Sequence, residues 1–136
     1  EILPVAGTPM DFRKMKPLGR DIEADFEALK LGQGYDHNWV LNHEAGVLGI
    51  AGKAKDPASG RVMEVYTDLP GMQLYTANFL TDERPGKGGA HYNRRHAFCF
   101  ETQYYPDACH KANFPSPILK SGDTYKTTTI YKFYAE

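Results

Sequence analysis

Glu101 follows the apolar run Ala97-Phe98-Cys99-Phe100 and is itself followed by Thr102 and Gln103. Phe and Cys suit a pleated, mostly buried strand, and a carboxyl group at the end of such a strand is expensive to bury. Such a strand would hold the Glu101 carboxyl rigidly and partly out of water. Strand side chains alternate faces. Ala97, Cys99, Glu101 and Gln103 therefore share one face, and Phe98 and Phe100 the other. The small residues beside Glu101 leave space above the sheet that a ligand could fill. In Gly71-Met72-Gln73-Leu74-Tyr75-Thr76-Ala77, Gln73, Tyr75 and Ala77 share a face opposite Met72 and Leu74. An amide and a phenol on one face suit sugar hydroxyls. Asp36, in Gly34-Tyr35-Asp36-His37-Asn38-Trp39, stands just before a strand, where its carboxylate can accept two hydroxyl hydrogen bonds. Each of the three also has a plainer reading: Glu101 as a surface or salt-bridged residue, Gln73 as an exposed side chain, Asp36 as a turn residue or cap.

Other chemistries find little support. The five His residues show no H-x3-H spacing and only two Cys accompany them, so no metal site is expected. There is no G-x-S-x-G element. Cys99 between two Phe reads as a small buried hydrophobe rather than a nucleophile. Gly86-Lys87-Gly88-Gly89 is not followed by a helical pattern and reads as a surface loop, not a phosphate cradle.

The elements that must position these residues are short strands. Turn signals at Lys55–Arg61 and Pro70-Gly71 separate the runs 47–55, 61–69 and 72–80. Further strands are predicted at 38–43, 96–103 and 123–135, the last alternating Tyr125, Thr127, Thr129, Tyr131 and Phe133 on one face. Such spacing predicts an antiparallel all-β architecture. Ile22, Phe26 and Leu29, at i, i+4 and i+7 with Gly32 as a stop, predict one short helix near 18–30. The N-terminal stretch, with Pro4, Pro9 and Pro17, reads as a loop on a surface.

The 136 residues fit one domain, and 41% hydrophobic residues suffice for a core. Sixteen basic and 17 acidic residues give a net charge of -1, which argues against a nucleic-acid partner. No apolar stretch approaches the roughly 18 residues of a membrane span. Two cysteines and no signal-peptide pattern lead to the expectation of a reduced, cytoplasmic setting. A first residue of Glu1 leads to the expectation of processing, or of a piece of something longer.

The segments GYDHNWVL, ASGRVMEVYTDLPGMQLYTANFL, FCFETQYYPDACHKANFP and GDTYKTTTIYKF, in that order, resemble the galactose mutarotase (aldose 1-epimerase) family across nearly the whole chain. The resemblance implies an antiparallel β-sandwich of the galactose mutarotase type, here a partial one, spanning 1–136. It implies interconversion of the α and β anomers of free aldoses such as galactose and glucose, without a cofactor. Glu101, in the E-T-Q segment, would be the general base. Asp36, in G-x-D-H-N, and Gln73, in P-G-x-Q-x-Y-T, would bind the sugar. The family's acid His lies in an H-x-Y-F-N-L segment that this sequence lacks, and Asn93-Arg94 sits in the wrong place to match an upstream Asn-Arg pair. The chain therefore looks like the C-terminal portion of such an enzyme, inactive alone. Two alternatives stand beside it: a non-catalytic carbohydrate-binding module, and a fragment whose strand edges pair with a missing N-terminal half or with another copy.

Overall fold

Asp56 organises the turn that residues 55–61 predict. Its carboxylate accepts the Ala58 N–H at 3.1 Å and the Ser59 hydroxyl at 2.5 Å, while its carbonyl takes the Gly60 N–H at 2.8 Å. The turn joins β2 (Gly49–Lys55) to β3 (Arg61–Thr67) as an antiparallel hairpin. The computed structural model describes residues 1–136. The other strands are β1 (Asp36–Val40), β4 (Gly71–Tyr75), β5 (Cys99–Gln103) and β6 (Thr129–Ala135). They form two three-stranded sheets, ordered β1-β4-β5 and β2-β3-β6. One α-helix, α1 (Glu27–Gly32), and three single 3-10 turns complete the regular structure. No helix is long and apolar enough to cross a membrane. The chain divides into two compact units, one of Glu1–His37 with Leu74–Cys99 and one of Asn38–Gln73 with Phe100–Glu136.

In the second unit, β3 is the central strand, and its Val65 and Thr67 are fully buried. Glu64 lies opposite Lys53 on one side and Lys132 on the other. It accepts the Tyr134 hydroxyl at 2.5 Å and the Tyr66 hydroxyl at 2.8 Å, and these bonds hold its pKa below the usual carboxylate value. Glu136 receives Lys53 at 2.8 Å and Lys55 at 3.0 Å, and these bonds bring its pKa down to about 2. Both carboxylates are depressed in the folded state. Their stabilisation is present above the ordinary carboxylate pKa and is lost as pH falls through the folded values. Urea midpoints should accordingly drop between pH 5 and pH 2, and Glu136→Gln should flatten that slope. An unchanged slope would show that this cluster does not contribute.

Opposite this polar face, the interior face of β2-β3-β6 meets residues of β4 and β5. A Cβ on Gly52 would stand 2.8 Å from the end of Met72 and 3.8 Å from the Phe100 ring. Thr129 Oγ1 bonds both Thr67 Oγ1 and Thr102 Oγ1, at 3.1 and 2.8 Å, and the Tyr131 hydroxyl donates to the Phe100 carbonyl at 3.1 Å. Thr129 and Tyr131 thus share a face, as their alternation predicts, whereas Phe133 of the same set is 71% exposed. β6 starts six residues later than the 123–135 alternation suggests. Asp68 takes the Thr127 hydroxyl and the Thr128 N–H, which diverts the chain from the ladder just before it.

In the first unit, the predicted helix is confined to α1, preceded by a 3-10 turn at Leu18–Arg20. Ile22 and Leu29 are buried as expected, but Phe26 is the extended N-cap residue rather than part of the helix. α1 ends at Gln33 in the left-handed conformation, and its N–H returns to the Leu29 and Lys30 carbonyls. Arg94 and Arg95 donate to the Gln33 carbonyl at 3.0 and 2.6 Å. Two cations at a helix C-terminus oppose its dipole favourably. Arg95 also pairs with Glu23 at 2.9 Å. The connection from β4 to β5 doubles back here: Ala77 adopts a φ of 52°, and its carbonyl accepts the Arg95 N–H at 3.1 Å.

The N-terminal stretch does more than lie on a surface. Tyr35 is fully buried, and its hydroxyl donates to the Pro9 carbonyl at 3.0 Å. Lys16 Nζ donates to the same carbonyl at 2.6 Å and to Asp21 at 2.8 Å, and sits 4.4 Å from the Phe12 ring centre. Phe12 meets Tyr35 edge-on at 5.1 Å. Burial, with Asp21 adding to it, pushes the Tyr35 phenol up to about 12.

Candidate functional site

β4 and β5 each present two faces, and Gly52 shows which is which. Met72 and Phe100 both approach it, so they point toward β2. Their chain neighbours Gln73 and Glu101 must then point away, on the opposite face of adjacent strands. Within the second unit, therefore, an amide and a carboxylate share one side of the sheet. Gln73 is half-buried between buried Met72 and buried Leu74. Glu101 is exposed, and so is Cys99.

Two expectations are corrected here. Cys99 is not a buried hydrophobe, and Glu101 is not withdrawn from water in this chain. The reason is common to both. Phe98 and Phe100 have the greater apolar surface to remove from water and take the covered face. Alternation then sends Cys99 and Glu101 outward. Ala77 also leaves the predicted face: β4 ends at Tyr75, and Ala77 is buried at a positive φ.

Asp36 belongs to the first unit, as the first residue of β1. It is half-buried, and its position is fixed through the main chain. The preceding Tyr35 N–H donates to Thr76 Oγ1 at 3.1 Å, and Thr76 N–H donates to the Tyr35 carbonyl at 3.0 Å. Asn78 Nδ2 reaches the Gly32 and Tyr35 carbonyls at 2.8 and 2.9 Å, while its Oδ1 takes the Thr76 hydroxyl at 2.8 Å. His37 holds the other side. Its Nδ1 accepts the Asp36 N–H at 3.0 Å and its Nε2 lies 3.1 Å from the Ala28 carbonyl. A backbone N–H can only donate and a carbonyl only accept, so the ring is neutral with its proton on Nε2. Burial lowers the His37 pKa, outweighing the Ala28 carbonyl and the Asp36 carboxylate, which favour the charged form. Thr76, Asn78 and His37 were not singled out as functional by pattern. The Thr-Ala-Asn run at the end of a predicted strand and the Asp-His pair were the available signals.

Three ligand-type atoms do converge after β5. Asp107, Cys109 and His110, all exposed, bring theirs within 4.8 Å of one another. His110 Nδ1 already pairs with Asp107 at 2.5 Å, and Lys111 stands 3.2 Å from the other carboxylate oxygen, so the charges of this turn are balanced internally.

Comparison with known proteins converges on one group. Human galactose mutarotase is 42% identical over 133 residues, covering 98% of this chain and 37% of its own length. Aldose 1-epimerase of Escherichia coli K12 is 31% identical over 134 residues, covering 97% of this chain and 38% of its own. The chain thus spans little more than a third of these relatives. The crystal structure of a GalM/aldose epimerase homologue from C. elegans superposes with a TM-score of 0.76 at 27% identity, over 96% of this chain and 38% of that one. The two-sheet, antiparallel β arrangement is therefore that of the aldose epimerases. The aldose 1-epimerase family model matches residues 1–132, which include Asp36, Gln73 and Glu101, and the chain is a member of that family.

Proposed function

We propose that this chain carries the base-bearing portion of a mutarotase acting on free aldohexoses such as galactose and glucose. The observation that supports it is the shared outward face of Gln73 and Glu101 on adjacent strands, opposite Met72 and Phe100. Glu101 takes the proton from the C1 hydroxyl as the C1 carbonyl forms and the bond from C1 to the ring oxygen breaks. An acid protonates that ring oxygen. After rotation about the C1–C2 bond, the freed hydroxyl closes on the other carbonyl face, returning its proton to the acid while Glu101 returns its own to the new C1 hydroxyl. Gln73, beside Glu101, holds sugar hydroxyl groups, and Asp36 binds sugar hydroxyls from the first unit, a carboxylate making the stronger, charge-assisted bonds. Metal and organic cofactors have no part in this reading.

No H-x-Y-F-N-L segment is present to supply the acid, and His37 has both ring nitrogens engaged. The chain alone is therefore expected to leave the polarimetric mutarotation of fresh α-D-glucose or α-D-galactose at its spontaneous rate. Full enzymatic rates abolished by Glu101→Gln would overturn this. Where the acid is supplied, losing the general base should cost about 10²–10⁴-fold in rate. The exposure of Glu101 favours one second reading, a carbohydrate-binding module. In that case Glu101→Ala changes sugar affinity and there is no turnover to lose. A complementary chain or second copy at the exposed edge strand β6 is part of the proposal, and size-exclusion chromatography reads it directly.

A further inference from the structure

We propose that His37 is a positioning residue for Asp36: its imidazole ties the Asp36 main chain to α1 and so sets where the Asp36 carboxylate meets a sugar hydroxyl. The inference rests on the carbohydrate reading of Asp36 given above.

The geometry is a bridge with two defined ends. Nδ1 accepts the Asp36 N–H and Nε2 donates to the Ala28 carbonyl in α1. Ala28 is the second residue of the six-residue helix α1, so the ring reaches the body of that helix and its carbonyl takes a second donor. The bridge therefore links the first turn of α1 to the start of β1 through one rigid ring. The ring fits because residue 32 is glycine: a Cβ there would stand 3.2 Å from His37 Cε1 and 3.7 Å from Asp36 Cβ. On the far side, Tyr35 is locked by Thr76 and Asn78. Asp36 is thus held from both directions along the chain. A side chain that must meet a hydroxyl within a few tenths of an ångström gains from such locking.

Amide side chains can dissect the two ends. The Asn carbonyl falls near the Nδ1 position and keeps an acceptor for the Asp36 N–H. The Gln amide nitrogen falls near the Nε2 position and keeps only the tie to Ala28. Galactose and glucose are titrated into 15N-labelled chain, and urea unfolding is measured alongside. His37→Ala and His37→Gln are expected to weaken sugar binding by about tenfold, the scale of one lost hydrogen bond. His37→Asn, which keeps the Asp36 bond but loses the tie to Ala28, should weaken binding less, by about threefold. In the wild type at pH 7, 15N–1H long-range spectra should show His37 as the neutral Nε2–H form. Affinity that simply follows stability across the three variants, or an Nδ1–H or charged ring, would overturn the proposal. If the wild type shows no sugar-dependent shift, the carbohydrate reading fails. The ring tautomer and the hydrogen-exchange protection of the Asp36 amide, lost in His37→Gln and kept in His37→Asn, then still decide whether His37 positions Asp36.

Discussion

Tyr35→Ala is expected to lower the unfolding free energy by about 3–5 kcal/mol, the range for deleting a fully buried aromatic ring. The ring has no exposed surface and sits edge-on to Phe12 at 5.1 Å. Its removal opens a cavity beneath the N-terminal segment. The Pro9 carbonyl is held by the Tyr35 hydroxyl and by Lys16 alone. Lys16 in turn is balanced by Asp21 and the Phe12 face, both of which depend on the same segment staying in place. Tyr35→Phe separates packing from hydrogen bonding. It keeps the ring and leaves Lys16 on the Pro9 carbonyl, so its cost should be near 1 kcal/mol. Urea denaturation at pH 7 measures both. An alanine variant within about 1 kcal/mol of wild type would mean that the ring is not a core element.

Gly34→Ala should be nearly as damaging, by about 2–5 kcal/mol, from steric overlap and backbone strain together. Gly34 has a φ of 136°, a region that side chains disfavour. A Cβ there would also overlap Asn78 Oδ1 and lie 2.9 Å from an Arg95 terminal nitrogen. Asn78 cannot move aside cheaply, since its amide already serves Gly32, Tyr35 and Thr76. Gly46→Ala is the control. Its φ is 85° but nothing lies within 4 Å of the new Cβ, so it reports backbone strain alone, about 1–2 kcal/mol. Equal losses at the two positions would show that the Asn78 contact yields freely. Because Gly34 precedes Tyr35 and Asp36, this variant should also broaden the NMR signals of the β1 start.

The parts of the fold governed by local chemistry were legible in the residues. Asp56, Ser59 and Gly60 announce a turn, and β2 and β3 flank it. What the residues did not reveal depends on partners distant in the chain. The register shift between Ile50 and Gly52 has no local sign. Asp68 delays β6 by capturing Thr127 and Thr128, an interaction across some sixty residues. Alternation correctly separated Glu101 from Phe100, and Gln73 from Met72. It says nothing about which face is covered, and that is why Cys99 and Glu101 were expected indoors. The helix pattern in Ile22, Phe26 and Leu29 found the right apolar residues but not the right conformation. Phe26 is extended, and packing places Ile22 in the core without helical geometry. Pro-rich spacing hid the core contribution of Pro9 and Lys16, since a carbonyl acceptor leaves no trace in residue type.

The doubled-back connection between β4 and β5 has a consequence for tolerance to length change. With Ala77 and Arg95 joined by a main-chain bond, the intervening residues form a purse closed at its drawstring. Lengthening such a purse adds closure entropy only logarithmically, roughly 0.6 kcal/mol per doubling. Extra residues near Gly88 should therefore leave the alignment of Glu101 against β4 untouched. Cutting the drawstring, by Arg95→Pro for example, should loosen the mouth of the purse and the end of α1 together.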